Sequence, residues 1–467
     1  MISTDFFRFE RAWKAQTIRN NSREDFAIMN QFKHALGSIK VRHNKNTMDI
    51  APIKMEDPEQ VILPMSQHIG APCKPTVKKG DHVKVGQLIG DSDAFLCVPI
   101  YASISGDVTE IRQSTNMFGG SETSVVIQSD HKHEVVEGIK PPTVETKDDF
   151  IQAVKASGVV GCGGASFPTF VKFDPKNLDE VKTLIINGAE CEPFITSDYR
   201  QMVDHPDDIL DGIEATMKYL DLDEAIIGIE SNKPKGISVL SQKISERGLS
   251  SKVRVQTLKS RYPQGAERVL IYETKGILID AGVLPADVGV IVSNITSIAS
   301  IARYLRTGMP LVEKTITVDG TAIKNPTNIT VPIGAQVKDI VEAAGGFKAE
   351  PKRIIAGGPM MGKTVDSVEA SVIRANGAIL CFSGPEAETA KQTACINCGK
   401  CHEACPFHLL PKLYSDAYEK GDIETLKENK LMQCMECGSC SYVCPARRPL
   451  SFVNHLGKGA IKGASKK

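Results

Sequence analysis

Eight of the chain's thirteen cysteines lie between Cys395 and Cys444, in two copies of one pattern. The first copy is Cys395-x-x-Cys398-x-x-Cys401-x-x-x-Cys405-Pro406, and the second is Cys434-x-x-Cys437-x-x-Cys440-x-x-x-Cys444-Pro445. No other feature restricts the fold so tightly, because thiols at this spacing converge on something that binds sulfur. Three cysteines at such steps can each hold one iron of a [4Fe–4S] cube, while the fourth ligates the other cube of a pair. The spacing therefore assigns Cys395, Cys398, Cys401 and Cys444 to one cluster and Cys434, Cys437, Cys440 and Cys405 to the second. The proline after each fourth cysteine stops the local helix and turns that thiolate away from its own run. The rival reading is structural zinc held by paired CxxC knuckles. Such knuckles give two cysteines each and stand farther apart, so two identical four-cysteine runs favour iron. Disulfide staples fit less well, since a chain of this size can build its own core. Clusters of this kind move electrons one at a time.

The 467 residues exceed one core and suggest about three domains. Lys plus Arg and Asp plus Glu number 56 each, so no net field draws the chain to nucleic acid or to an anionic membrane. The most apolar window, Val288 to Ala302, is 15 residues long, against roughly 20 for a spanning helix. No basic-then-apolar signal peptide opens the sequence, and a reducing compartment suits thiols and iron–sulfur sites. The expectation is a cytoplasmic protein able to sit on a membrane partner.

Residues 1–40 are polar, contain the single tryptophan, Trp13, and keep no helical period, so they read as an N-terminal extension. From about Lys54 to Asp130 short strands alternate with glycine turns, including Lys78-Lys79-Gly80-Asp81. VKKGDHVKVGQLIG followed by VPIYASISGDVTEI looks like a lipoyl-type barrel-sandwich domain. Asp93 holds the hairpin position where carrier versions have a lysine, so no lipoyl or biotin arm can be attached. Strands are predicted at Thr183–Asn187, Ala225–Ile229, Val253–Leu258 and Val288–Val292. Ile209, Ile213, Met217 and Leu220 form one helical stripe, and Ile237, Leu240 and Ile244 another. Helices are expected to start at His205-Pro206 and Lys233-Pro234. This alternation predicts an α/β, doubly wound sheet. Residues 313–380 then read strand–turn–strand–helix, and Gly421 divides two short helices between the cysteine runs.

A second candidate site begins at Gly161-Cys162-Gly163-Gly164-Ala165-Ser166-Phe167. Glycines let backbone approach a phosphate or a flat ring. Alone, the loop is neither GxGxxG nor a Walker loop and equally suits a structural turn. Three further turns follow predicted strands, where open α/β sheets place ligands: Asn187-Gly188-Ala189-Glu190-Cys191-Glu192, Tyr262-Pro263-Gln264-Gly265-Ala266-Glu267 and Ser293-Asn294-Ile295-Thr296.

The GCGGASFPTFVK, NGAECEPF, RYPQGAE and SNITS stretches resemble the flavin- and NADH-binding subunit of respiratory complex I. VDGTAIKNPTNITVPIGAQVKDIVEAAGG is similar to the soluble-ligand-binding β-grasp domain of the same proteins. With QHIGAPCKP and the doubled cysteine run, the order over about residues 40 to 450 resembles the C-subunit family of the Rnf complex. The resemblance implies a multidomain α/β chain: an extension (1–40), a barrel-sandwich domain (41–135), a Rossmann-like FMN/NADH domain (136–312), a β-grasp domain (313–385), a helical two-cluster ferredoxin domain (386–450) and a flexible tail (451–467). It implies the peripheral electron-transfer subunit of an ion-translocating ferredoxin:NAD+ oxidoreductase, with non-covalent FMN and NAD(H) besides the two [4Fe–4S] clusters. Its partners would be the other Rnf subunits, including a ferredoxin-like iron–sulfur subunit and integral membrane subunits, at the cytoplasmic face of the bacterial membrane. Carried over, Gly161, Gly163 and Gly164 would face the flavin and Lys172 its phosphate or ribityl chain. Asn187, Ala189 and Glu190 would hold the isoalloxazine edge, and Ser293, Asn294 and Thr296 the phosphate. Phe167 would stack on NADH, with Glu192 and Glu267 contacting its ribose or carboxamide. The chain departs from the complex I pattern at Cys162, where that family has Arg, and in the RYPQGAE turn, which has one acidic residue instead of two.

Plain structural roles stand beside these: Glu190 and Glu192 as a helix-start pair, Phe167 as core, Cys162 and Cys191 as packing residues. Cys73, Cys97 and Cys381 have no partner at ligand spacing and read as inert, and the histidines form no metal-binding motif. Two alternative functions share the same parts: a cobalamin-reductase-like enzyme, and an electron-relay adaptor without flavin.

Overall fold

The computed structural model describes residues 36–115 and 121–464. The expected N-terminal extension therefore lies outside the described residues as far as residue 35, while the chain from Gly37 onward belongs to one compact unit. Ile39 and Tyr262 exchange backbone hydrogen bonds of 2.8 and 2.9 Å, tying the start of that unit to a turn more than two hundred residues later.

Strands Gln60–Pro64, Ser121–Ser129, Gly106–Thr115 and His82–Val83 pair antiparallel in that order, and Lys74–Pro75, Leu88–Asp91 and Ile100–Tyr101 form a second small sheet. Val61, Leu63, Ile89, Ile104, Val125 and Ile127 fill the space between them with no exposed surface. Exposed Asp93 follows the Leu88–Asp91 strand.

The next layer is a parallel sheet in the order Val253–Leu258, Glu224–Glu230, Thr183–Gly188, Val290–Asn294. Three of the strands fall where they are predicted, and the fourth is shifted by two residues, because Val288 ends a 3-10 turn. Helices Pro206–Leu220 and Pro234–Glu246 each open on proline, which has no amide to leave unbonded there. Ile209, Ile213, Met217 and Leu220 are all buried, each adding roughly 1.5–3 kcal/mol of apolar transfer. The apolar window resolves into the Val290–Asn294 strand and the helix Ile295–Thr307. Among the described residues no helix is long and apolar enough to cross a membrane.

A six-stranded mixed sheet follows, in the order Ile53–Lys54, Thr327–Pro332, Glu313–Asp319, Ala378–Phe382, Arg353–Ala356, Lys363–Val365, with helix Val337–Ala343 against it. Its edge strand comes from the segment expected in the barrel-sandwich part: Ile53 and Lys54 pair with Ile329 and Thr330. Short helices then carry the cysteine runs, and Pro411–Glu419 and Ile423–Glu428 flank Gly421 as expected.

The expected flexible tail is corrected over residues 451–464, the rest lying outside the described residues: Leu450–Ala464 is a helix that buries Leu450, Asn454, Gly457 and Ile461. The glycines that suggest looseness allow close packing, since a Cβ on Gly457 would sit 2.7 Å from Leu431 Cδ2.

Candidate cluster and flavin site

The two cysteine runs share one backbone pattern. Asn397 and Glu436 occupy the same place in each copy, at φ 53° and 59°, and Gly399 and Gly438 follow at 77° and 80°. This left-handed turn aims amides at sulfur: Asn397 N–H donates to Cys395 Sγ and Glu436 N–H to Cys434 Sγ, both at 3.4 Å. Cys395, Cys398 and Cys401 face one cavity together with Cys444, while Cys434, Cys437 and Cys440 face another with Cys405. The fold thus groups the sulfurs in the crossed sets that spacing implies. Burial pushes the Cys405 thiol up to about 11 and raises Cys434, Cys437 and Cys440 as well. Four such sulfurs gathered around one space fit a metal that displaces their protons.

The two sets differ in setting. Cys398 is exposed, whereas Cys437 and Cys440 are buried. The inner set is anchored to the α/β layer: Tyr262 Oη donates to the Cys437 carbonyl at 2.6 Å, and Arg268 Nη1 to the Gln433 carbonyl at 3.1 Å. The Arg268 guanidinium also lies 3.9 Å from the centre of the Phe407 ring. On the other side of the inner set, the C-terminal helix sends Asn454 Nδ2 to Cys434 Sγ at 3.4 Å and Lys458 Nζ to the Cys434 carbonyl at 2.9 Å.

Beside the inner set, at one end of the parallel sheet, the glycine loop and the three turns singled out in the sequence come together. Asn187 and Asn294 are register partners at the ends of adjacent parallel strands. Chain order reverses between those strands, the place where open α/β sheets bind ligands. Asn187 Nδ2 donates to the Gly265 carbonyl at 2.8 Å, drawing the Tyr262–Glu267 turn to the strand end. Asn294 Oδ1 caps its helix by accepting from Thr296 N and Ser297 N. The glycine loop is bound to the same helix, with Cys162 N–H donating to Ser297 Oγ at 3.0 Å. Gly161 closes the loop by donating to the Phe167 carbonyl at 2.9 Å; Gly163, Gly164 and Ala165 are exposed and Phe167 is half-buried. Lys172 Nζ pairs with Glu267 Oε2 at 2.8 Å. Ser293 and Ala189 are buried.

Several neighbours carry no sequence signal of their own. Asp198 takes hydrogen bonds from Thr296 Oγ1 at 2.6 Å and Asn294 Nδ2 at 2.8 Å, so a carboxylate already sits at the helix start. The Ala189–Glu192 turn is held by two buried lysines distant in sequence. Lys45 Nζ donates to the carbonyls of Glu190 and Glu192, and Lys233 Nζ to that of Ala189 at 2.6 Å. Glu190, at φ 47°, accepts from Asp198 N–H through Oε1 at 2.7 Å. Burial pushes Glu190 up and Lys45 down, each partly offset by the other. Glu192 accepts from the amides of Met360 and Met361 at 3.0 and 2.9 Å and so clamps the mixed-sheet layer onto that turn. Among the described residues buried Gln264 Nε2 has no hydrogen-bond partner, and Glu190 Oε2 has only the Lys45 ammonium at 3.8 Å, which fits a polar ligand beside them.

Burial pushes Glu192 up to about 7, against the pull of those two amides. The folded form therefore holds its proton more tightly than the unfolded chain. That contribution to stability is complete below about pH 4.5 and is lost as pH rises through about 7. Glu192→Gln should flatten the fall in urea midpoint between pH 5 and 8, a difference of roughly 1–2 kcal/mol. A variant with the wild-type pH slope would mean that the carboxylate is solvated.

Four family models match in chain order: the RnfC barrel sandwich hybrid domain over residues 33–132, the Nuo51 FMN-binding domain over 154–303, the SLBB domain over 315–364 and the 4Fe-4S dicluster domain over 394–447. Fold and site together define an electron-transfer subunit of the FMN and iron–sulfur type. The C subunit of the proton-translocating ferredoxin:NAD(+) oxidoreductase complex of Clostridium ljungdahlii is 42% identical over 399 residues, covering 85% of each chain. Its counterpart in the Na(+)-translocating complex of Acetobacterium woodii is 40% identical, covering 89% of this chain and 94% of its own. The C subunit of the ion-translocating oxidoreductase complex of Rhodobacter capsulatus is 35% identical, covering 92% and 84%. The chain belongs to this family, the C subunits of the Rnf complexes.

Proposed function

We propose that this chain is the subunit at which NAD(H) exchanges electrons with an ion-translocating ferredoxin:NAD+ oxidoreductase, bound peripherally to the complex's integral membrane subunits and to a ferredoxin-like iron–sulfur subunit. Domains would follow the expected division, with a Rossmann-like layer over 136–312, a β-grasp layer over 313–385 and a ferredoxin part lengthened by the last helix. The observation that supports this reading is the Tyr262 bridge, which ties the buried cysteine set to the turn that Asn187 holds at the end of the parallel sheet. A flavin bound there exchanges hydride with nicotinamide and single electrons with iron–sulfur clusters.

The chain's own residues would bind and orient. Gly161, Gly163 and Gly164 let the ring approach the backbone, and Lys172 reaches the ribityl or phosphate side. Asn187, Ala189 and Glu190 form the ring edge, while Ser293, Asn294 and Thr296 form the phosphate end, with Asp198 orienting the last two. Phe167 would cover the nicotinamide face. Glu267, steered by Lys172, would meet the ribose, and Glu192 would hold the wall of the pocket. The exposed cysteine set suits exchange with a protein partner, and the buried set suits relay to the strand-end turns.

Anaerobically purified chain reconstituted with FMN should bind about one flavin and oxidise NADH with ferricyanide. One flavin bound with no NADH oxidation would overturn the proposal. Absence of flavin binding would favour the relay adaptor instead.

A further inference from the structure

In sequence, Cys73 and Cys97 lack partners at ligand spacing; the barrel-sandwich fold supplies them. Cys73 Sγ lies 3.4 Å from Cys97 Sγ and 3.7 Å from His68 Nε2, and all three ligand atoms lie within 4.8 Å of one another. The three residues are 4%, 0% and 7% exposed, respectively for Cys73, Cys97 and His68. Asp91 Oδ1 stands 3.7 Å from Cys97 Sγ, bringing a fourth donor to the edge of the group. We propose that His68, Cys73 and Cys97 hold a borderline divalent cation of the zinc type, separate from both iron–sulfur sites, with the Asp91 carboxylate beside Cys97 at the edge of the group.

The geometry suits that ion. Tetrahedral zinc with bonds of about 2.3 Å to sulfur and about 2.0 Å to nitrogen separates two sulfurs by about 3.8 Å and sulfur from nitrogen by about 3.5 Å. The Cys73–Cys97 and Cys73–His68 separations differ from these by a few tenths of an ångström, and the third pair lies within 4.8 Å. His68 is oriented for the task, since Nδ1 faces the Ile69 carbonyl at 3.4 Å and leaves Nε2 toward the sulfurs. The site is also pressed together from outside. Gly70, at φ +137°, would place a Cβ 2.1 Å from the Leu96 carbonyl oxygen, so the turn after His68 lies directly on the residue before Cys97.

Charge argues the same way. Arg374 is buried, and its guanidinium donates to the carbonyls of Pro99 and Gly158 at 2.9 and 2.6 Å, with Nε left without a partner. No carboxylate pairs with it among the described residues, and Cys73 and Cys97 are among the groups nearest its charge. Two thiolates and the Asp91 carboxylate against one divalent ion and Arg374 sum to zero, whereas neutral thiols leave Arg374 as an uncompensated buried cation. The consequence reaches the flavin loop, because Ile69 N–H donates to the Ser166 carbonyl at 3.0 Å. A cation here would staple the barrel-sandwich layer to the glycine loop.

The test is elemental analysis of the full chain, purified anaerobically, exposed to Zn2+ and dialysed. About one zinc per chain should remain in the wild type, and Cys97→Ser should lower it at least about tenfold while iron stays unchanged. His68→Gln provides a second variant should Cys97→Ser fold poorly. Zinc that persists in both variants would belong to the cluster cysteines and would overturn the proposal. So would wild-type protein without zinc, or with a Cys73–Cys97 disulfide found by mass spectrometry.

Discussion

Cys405→Ser should lower iron from about eight to about four per chain, and the cube it removes should be the buried one, although Cys405 ends the run of the exposed one. Cys405 faces Cys434, Cys437 and Cys440 across their cavity, and Cys444 faces Cys395, Cys398 and Cys401. The surviving cubes should therefore behave oppositely. In Cys405→Ser the remaining cluster is ligated by exposed Cys398, so an iron chelator should bleach it quickly. In Cys444→Ser the survivor sits among buried Cys437 and Cys440 under the C-terminal helix and should resist. The two variants should also differ in function. Losing the inner cube cuts the link at Tyr262 between the strand-end turns and the relay, so NADH oxidation by ferricyanide should persist while reduction of a protein acceptor fails. Should Cys405→Ser and Cys398→Ser leave the same surviving cluster, each run would hold its own cube and the crossed assignment would be wrong.

The elements read most directly in the sequence are those set by local chemistry. The four parallel strands are runs of β-branched and aliphatic residues, and their helices open on Pro206 and Pro234, so pattern and punctuation agree. The cysteine runs were legible because ligand spacing within a run is local. What escaped was long-range. Nothing near Lys45 in the sequence says that it will reach the carbonyls of Glu190 and Glu192, and nothing near His68 announces Cys97. Asp198 looks like an ordinary first-turn helix acid until the fold brings Asn294 and Thr296 to it. The C-terminal helix escaped for a different reason. Its glycines carry low helix propensity, which is outweighed by the packing that Gly457 permits against Leu431.

Lys233→Met should loosen the Ala189–Glu192 turn more than any change to the residues of the turn itself. Lys233 and Glu230 are fully buried, with Nζ 3.2 Å from Oε2, and the same ammonium holds the Ala189 carbonyl. Among the described residues Glu230 Oε1 has no hydrogen-bond partner, and burial already raises the pKa of this carboxyl. Removing the lysine leaves a buried acid without its nearest cation, at a cost of up to about 3–5 kcal/mol. The loss should be local, since the Glu224–Glu230 strand pairs on both sides with other strands, while the Ala189–Glu192 turn is held by Lys45, Lys233 and the side-chain bonds of Glu190 and Glu192. Hydrogen exchange should then show protection falling first around Ala189–Glu192, together with lost FMN retention and an intact iron count. Glu230→Gln in the same chain removes the stranded charge and should restore part of the protection, a coupling of roughly 1–3 kcal/mol. If the two changes simply add, the pair does not support the turn, and the hold on it would rest with Lys45 and the hydrogen bonds of Asn187.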